Sequence, residues 1–132
     1  MRSLWVILSA MLAASSCVTS TTPTVPLNRD FTLAPGQLVV IDETSVGIRF
    51  VGVTGDSRCP ADALCILGGD AIVRIEVHPN RGEHASYELH TGSMKPVLHD
   101  RDTIALVQLD PYPFSARTIK PEDYRATLRV TR

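Results

Sequence analysis

Asp70-Ala-Ile-Val-Arg-Ile-Glu-Val-His78 and His84-Ala-Ser-Tyr-Glu-Leu-His90 are two alternating apolar–polar runs on either side of Asn80-Arg-Gly82. Alternation with a period of two is the pattern of a strand with one buried face. Folding the chain back at Arg81 sets Val77 opposite Ala85, Ile75 opposite Tyr87 and Val73 opposite Leu89, all on one side. The other side then pairs Arg74 with Glu88 and Glu76 with Ser86. A slip of one residue would put charges opposite core residues, so the pattern predicts one register for this hairpin.

Working outward, the same period recurs. Arg125-Ala-Thr-Leu-Arg-Val-Thr-Arg132 alternates throughout, with Ala126, Leu128 and Val130 inward. Val46-Gly-Ile-Arg-Phe50 does likewise, and Ile104-Ala-Leu-Val-Gln-Leu109 is apolar on nearly both faces, as a central strand would be. Pro35-Gly36, Thr91-Gly-Ser93 and Pro111-Tyr-Pro113 punctuate these runs as turns. No stretch after the N-terminal segment keeps an apolar period of 3.6. The expectation is an all-β domain over 30–132, a small antiparallel sandwich of Ig-like or Greek-key type, or a barrel. Ile119-Lys-Pro-Glu-Asp-Tyr124 opens the last strand and resembles a tyrosine corner, which implies a buried Tyr124 ring whose hydroxyl bonds a backbone group upstream.

The N-terminus has a different character. Met1 to Ser16 carries Arg2, then the apolar Leu4 to Ala14 and small residues, the pattern of a secretory signal. The apolar stretch is shorter than the roughly 20 residues a bilayer span needs. Ala14-Ser-Ser-Cys17 resembles the bacterial lipobox, which implies that Cys17 is lipidated and becomes the mature N-terminus. The plainer alternative is an ordinary cleaved signal with an incidental cysteine. Residues 17–29, rich in Ser, Thr and Pro, read as a flexible tether. Val18 follows the cysteine where Asp would retain a lipoprotein in the inner membrane. By that resemblance the expected place is the outer membrane, facing the periplasm.

The charges, 13 basic and 14 acidic, nearly balance, so nothing favours nucleic acid or an anionic surface. The expected partners are the membrane, through the anchor, and a protein of the envelope. The sequence calls for no cofactor: it has no phosphate-cradling glycine loop and no nucleotide fingerprint. Ser57, Ser86, Ser93 and Ser115 stand in no Gly-x-Ser-x-Gly setting.

The most distinctive stretch is Gly55-Asp-Ser-Arg-Cys-Pro-Ala-Asp-Ala-Leu-Cys-Ile-Leu-Gly-Gly-Asp-Ala71. Cys59 and Cys65, in an exported domain, are expected to form a disulfide that staples a moderate core. Their spacing is wrong for a thioredoxin-type pair, and a zinc ribbon would need a second cysteine pair. The expected staple braces the crossover from the strand Val46–Val53 to the strand Asp70–His78. Arg58 is expected to anchor the loop by pairing with Asp56 or a backbone carbonyl. The stretch is similar to a group of bacterial envelope lipoproteins with Asp56-Ser-Arg-Cys-Pro60, a second cysteine at Cys65, then Gly69-Asp-Ala71. Ile48-Arg-Phe50, Val53 and Leu109-Asp-Pro-Tyr-Pro113 fit the same group. Where the group carries an aromatic residue before the glycine, this chain has Ile66-Leu67. The resemblance implies an address and a fold but no reaction.

The residues offer three candidate sites. Asp56, Arg58, Pro60, Ala61, Asp62, Ala63 and Leu64 form a disulfide-preorganised loop for a partner, since preorganisation lowers the ordering cost of binding. Asp56, Asp62 and Asp70 are a candidate Ca²⁺ set, though their spacing matches no known calcium loop. His78, His84 and Glu76, on the outer face of the hairpin, are a candidate Zn²⁺ or Cu²⁺ set. His90 and His99 have no evident partner. The expected function is a non-catalytic binding or structural role for a lipid-anchored domain. The rival class is a small envelope hydrolase or metal-dependent protein with a concealed site.

Overall fold

The computed structural model describes residues 16, 17 and 19–132. The expected signal segment, apart from Ser16, and Val18 lie outside the described residues. Among the described residues no helix is long and apolar enough to cross a membrane. Nine strands follow one another: β1 (Thr24–Val25), β2 (Asp30–Leu33), β3 (Leu38–Ile41), β4 (Val46–Asp56), β5 (Ala71–His78), β6 (Ala85–His90), β7 (Val97–His99), β8 (Asp102–Asp110) and β9 (Arg125–Thr131), with a 3-10 turn at Pro121–Asp123.

Strands β5 and β6 form the expected hairpin in the expected register: Val73 opposes Leu89, Ile75 opposes Tyr87 and Val77 opposes Ala85. On the outer face Arg74 reaches Glu88 at 3.2 Å. Alternation drives this pairing, because Val73, Ile75, Val77 and Leu89 are all fully buried. One sheet has the order β1-β3-β4-β5-β6, the other β2-β9-β8-β7. They pack as a sandwich, so the barrel alternative falls away. Strands β3 to β6 and β7 to β9 are two meanders rather than an Ig-like arrangement, and β2 returns to lie beside β9 with Phe31 opposite Leu128. The core between the sheets is built from the inward residues of every long strand, among them Leu33, Ile41, Ile48, Phe50, Ile104 and Leu128.

Four local expectations change. The strand expected to end at Val53 runs on to Asp56, because irregularities between Phe50 and Gly52 and between Val53 and Gly55 bend it while it stays paired with β5. Its link to β5 is therefore not a crossover but a long hairpin loop between antiparallel neighbours. In β8 the register shifts between Leu106 and Gln108, and Val107 turns outward to partial exposure.

The tether is shorter than the expected 17–29. Thr24 and Val25 pair in parallel with Val40 and Ile41, and the Pro23 carbonyl accepts from the Val40 N–H at 2.9 Å. Val25 and Leu27 pack against the core, and Asn28 N–H donates to the Val130 carbonyl. Burying these two apolar side chains offsets the cost of ordering the segment. The domain thus begins near Pro23.

Candidate functional site

Strands β4, β5, β8 and β9 end or begin at one end of the sandwich, which brings the β4–β5 loop beside the segment 111–124. Cys59 and Cys65 are joined, with Cα atoms 6.0 Å apart. Below them the loop is closed a second time. Ser57 N–H donates to the Asp70 carbonyl at 2.7 Å, and Asp70 N–H donates to Ser57 Oγ at 3.1 Å. Gly69 permits this closure: a Cβ there would lie 1.5 Å from the Ser57 carbonyl oxygen. The glycine of the motif is a steric requirement of two backbones in close approach.

Arg58 holds the loop to the other sheet. Its guanidinium is buried and donates through Nε to Asp56 Oδ1 at 2.9 Å and through Nη2 to Asp56 Oδ2 at 2.7 Å. Nη1 donates to the Leu109 carbonyl and Nη2 also to the Pro111 carbonyl, both at 2.9 Å. The expected alternatives, a carboxylate or a carbonyl, are thus both realised. The planar fork of arginine suits such a set of acceptors, and a buried charge needs them. Tyr112 lies against the guanidinium, with 5.4 Å from Cζ to the ring centroid.

Tyr124 is buried as its corner position implies, but its hydroxyl donates to Asp56 Oδ2 at 2.9 Å and not to a backbone group. The bent end of β4 brings this carboxylate within reach first. Burial opposes ionisation of Asp56; the bonds from Arg58 and Tyr124 and the guanidinium charge outweigh it and hold the carboxyl below its ordinary value. For Arg58, likewise, burial is outweighed by the bond and charge of Asp56, and its pKa rises. Burial and the bond to Asp56 push the Tyr124 hydroxyl up to about 12.

The three aspartates of the candidate calcium set are engaged apart from one another. Asp56 is closed off by Arg58 and Tyr124. Asp62 accepts from Ser115 N–H at 2.9 Å, and that bond lowers its pKa. Asp70 accepts from Gly92 N–H at 2.8 Å and pairs with His90. Burial works against its ionisation, and these two bonds prevail and lower its pKa. On the hairpin, the His78 and His84 rings pack against each other with centroids 4.0 Å apart. A Glu76 oxygen lies 3.3 Å from His78 Nε2, but that nitrogen makes no aligned hydrogen bond. Ring packing turns the imidazoles toward each other. Among the described residues no group of three or more His, Cys, Asp or Glu is placed to hold a metal ion, so neither candidate set is assembled.

His90 and His99 both have partners that their sequence positions concealed: Asp70 for His90, and the Tyr87 hydroxyl at 2.9 Å for His99. A concave site uniting Asp56, Arg58, Asp70 and a histidine is not formed. Asp56, Arg58, Arg117 and Tyr124 line a cleft of about 210 Å³ that contains neither Asp70 nor His90. Ser57 Oγ is spent on the Asp70 backbone.

The large side chains at the tip of the loop are apolar and free. Leu64 and Ile66 are fully exposed and Leu67 is 82% exposed. Half-exposed Tyr112 and Phe114 stand beside the loop, whose Ala61 N–H donates to the Pro113 carbonyl at 2.9 Å. The exposed apolar surface runs beyond Leu64, where the candidate set of the sequence ends, to Ile66 and Leu67. The signal was their position in place of the group's aromatic residue. Tyr112 and Phe114 were missed as neighbours because the contact spans the two sheets.

No family model matches the chain, and no curated protein or solved structure matches it at a significant level.

Proposed function

We propose that this chain is a non-catalytic, lipid-anchored β domain of the bacterial envelope that acts by contact through its disulfide-closed loop. The observation that carries the reading is the exposure of Leu64, Ile66 and Leu67 on a loop held by a disulfide, by Arg58 and by the Ser57–Asp70 closure. A soluble domain gains nothing by displaying three aliphatic side chains in water, and such groups mark contact sites. Fixing the loop beforehand reduces the entropy lost on contact. Burying the three side chains supplies roughly 1.5–3 kcal/mol each. A contact of that strength suffices for a protein already confined by an anchor, because tethering raises the effective concentration.

The polar groups of the loop support this reading over a catalytic one. Asp56 and Arg58 spend their hydrogen-bonding capacity on the fold, Asp70 is held by Gly92 N–H and His90, and Asp62 gives one oxygen to Ser115 N–H. The lipobox resemblance at Ala14 to Cys17, an exposed Cys17 that forms no disulfide, and the oxidised Cys59–Cys65 pair support the address.

The test has two readouts. Intact mass of the protein extracted from its membrane is expected to show an acylated Cys17. Oxidative footprinting in isolated envelopes is expected to show residues 60–67 protected relative to the purified protein in detergent. An unmodified mature N-terminus elsewhere removes the anchor, and equal labelling in both states removes the contact.

A further inference from the structure

We infer that the occupant of the loop is the bilayer itself: the apolar tip seats at the headgroup–acyl boundary of the membrane that holds Cys17, and the domain stands on its disulfide end. The inference rests on the anchored reading above and goes further by naming what the loop touches.

Chain direction and length carry it. Thr24 lies level with Val40, which opposes Gly47, which opposes His78 at the end of β5. Because β1 is parallel to β3, the chain upstream of Thr24 heads along β4 from Val46 toward Asp56, and so toward the disulfide loop. From the level of Thr24 to the loop base at Ala71 is seven residues along β5, about 23 Å at the strand rise. From Cys17 to Thr24 is also seven residues, about 23–25 Å when extended. Continued in its own direction, the tether brings the lipid-bearing residue level with the base of the loop. The tip, projecting past that base, then enters the boundary region.

The polarity of the two ends agrees. The opposite end carries Asp42-Glu43, Arg81, Glu83 and Asp100-Arg101 in its turns and, of the exposed large apolar side chains, Leu98 on the adjoining β7. The exposed charges Arg117, Lys120 and Glu122 of the disulfide end lie on the segment 111–124 and not at the loop tip. The disulfide end carries Leu64, Ile66 and Leu67 at the tip, with Tyr112 and Phe114 at the base, where aromatic rings favour the interface. Its nearest carboxylates are engaged: Asp56 by Arg58, Asp62 by Ser115 N–H and Asp70 by His90. A fully exposed aliphatic tip suits a fluid apolar phase, which needs no matching pocket. The three aliphatic side chains at the tip make the contact apolar rather than electrostatic.

The chain's one tryptophan, Trp5, belongs to the signal segment, so a tryptophan introduced in the domain is the only tryptophan of the processed protein and can be excited apart from its three tyrosines. Lipidated L67W and L98W are reconstituted in vesicles of phosphatidylethanolamine and phosphatidylglycerol with acyl-brominated lipid. Leu98 is exposed on β7, which makes it the control. The expected result is strong quenching of L67W, unchanged at high salt, and little quenching of L98W. Equal quenching of the two overturns the inference. If a photo-crosslinker at position 66 then yields a defined protein adduct in cells, the contact reading stands and only the bilayer is wrong. A Cys17 without acyl groups instead removes the anchored reading beneath both.

Discussion

Arg58 Nη1 donates to the Leu109 carbonyl at 2.9 Å, and this bond joins the disulfide loop of one sheet to the last turn of β8 in the other. The same guanidinium neutralises Asp56. One buried side chain therefore fixes the base of the loop and helps close that end of the sandwich.

Arg58→Ala leaves the Asp56 carboxylate and two carbonyls without their donor. The expected loss is about 3 kcal/mol, since breaking a buried pair strands a charge. A domain of this size should melt on the order of 15 °C lower. Arg58→Lys keeps the charge but not the fork, and should fall between the two. The pH dependence has a definite sign. The folded pKa of Asp56 lies below its ordinary value of 3.8, so its contribution is full above that value and is lost as pH falls through the folded pKa. Urea unfolding of the wild type across this acid range should show the loss, and Asp56→Asn should flatten it. A wild-type profile no steeper than that of D56N would refute the role of Asp56.

Tyr124 makes the converse prediction at alkaline pH. Its hydroxyl is pushed up from 10.0 to about 12, so the fold favours the protonated phenol. The stability it contributes is complete below pH 10.0 and declines as pH rises toward about 12. Phenolate absorbance should show one tyrosine titrating late, and Tyr124→Phe should abolish that phase. The same substitution should cost roughly 1.5 kcal/mol at neutral pH, the range for a hydrogen bond to a charged group. Retention of the late phase in Y124F would show that another tyrosine produces it.

The disulfide and Gly69 should differ in kind. Chain entropy alone assigns the short Cys59–Cys65 loop about 2.4 kcal/mol. In this fold the reduced loop can disorder locally, since Leu64, Ile66 and Leu67 pack on nothing. The cross-link then restricts folded and unfolded chains alike, and much of its effect cancels. Cys59→Ser with Cys65→Ser should cost about 1 kcal/mol or less globally and speed amide exchange at residues 60–67. Gly69→Ala drives a Cβ into the Ser57 carbonyl and breaks the closure itself, so it should lower the melting temperature more than loss of both cysteines. The reverse order of melting temperatures would place the brace in the disulfide.

The parts legible beforehand were local. The β5–β6 register follows from side-chain alternation, because a slip would expose Val73, Ile75 and Val77 together. The Cys59–Cys65 pair and the Asp56 partner of Arg58 lie within a few residues of one another, where the chain itself limits the choices. The partners of His90, Asp62 and Tyr124 were not legible, because they lie 20, 53 and 68 residues away. Alternation says which face of a strand is buried but not which strand lies beside it. Docking of Thr24–Val25 on β3 was hidden for the same reason: two residues have no period to read.

By itself, then, the sequence determined a β domain with one strictly registered hairpin and one short cystine loop, and it pointed to a lipid anchor. It took the packed fold to bring the loop, Tyr112 and Phe114 to one end of the sandwich, and to direct the chain upstream of Thr24 toward that end. Strand order causes the difference. It is set by how two apolar faces pack over the whole core, and many orders satisfy the same alternating pattern until every strand competes for one interior.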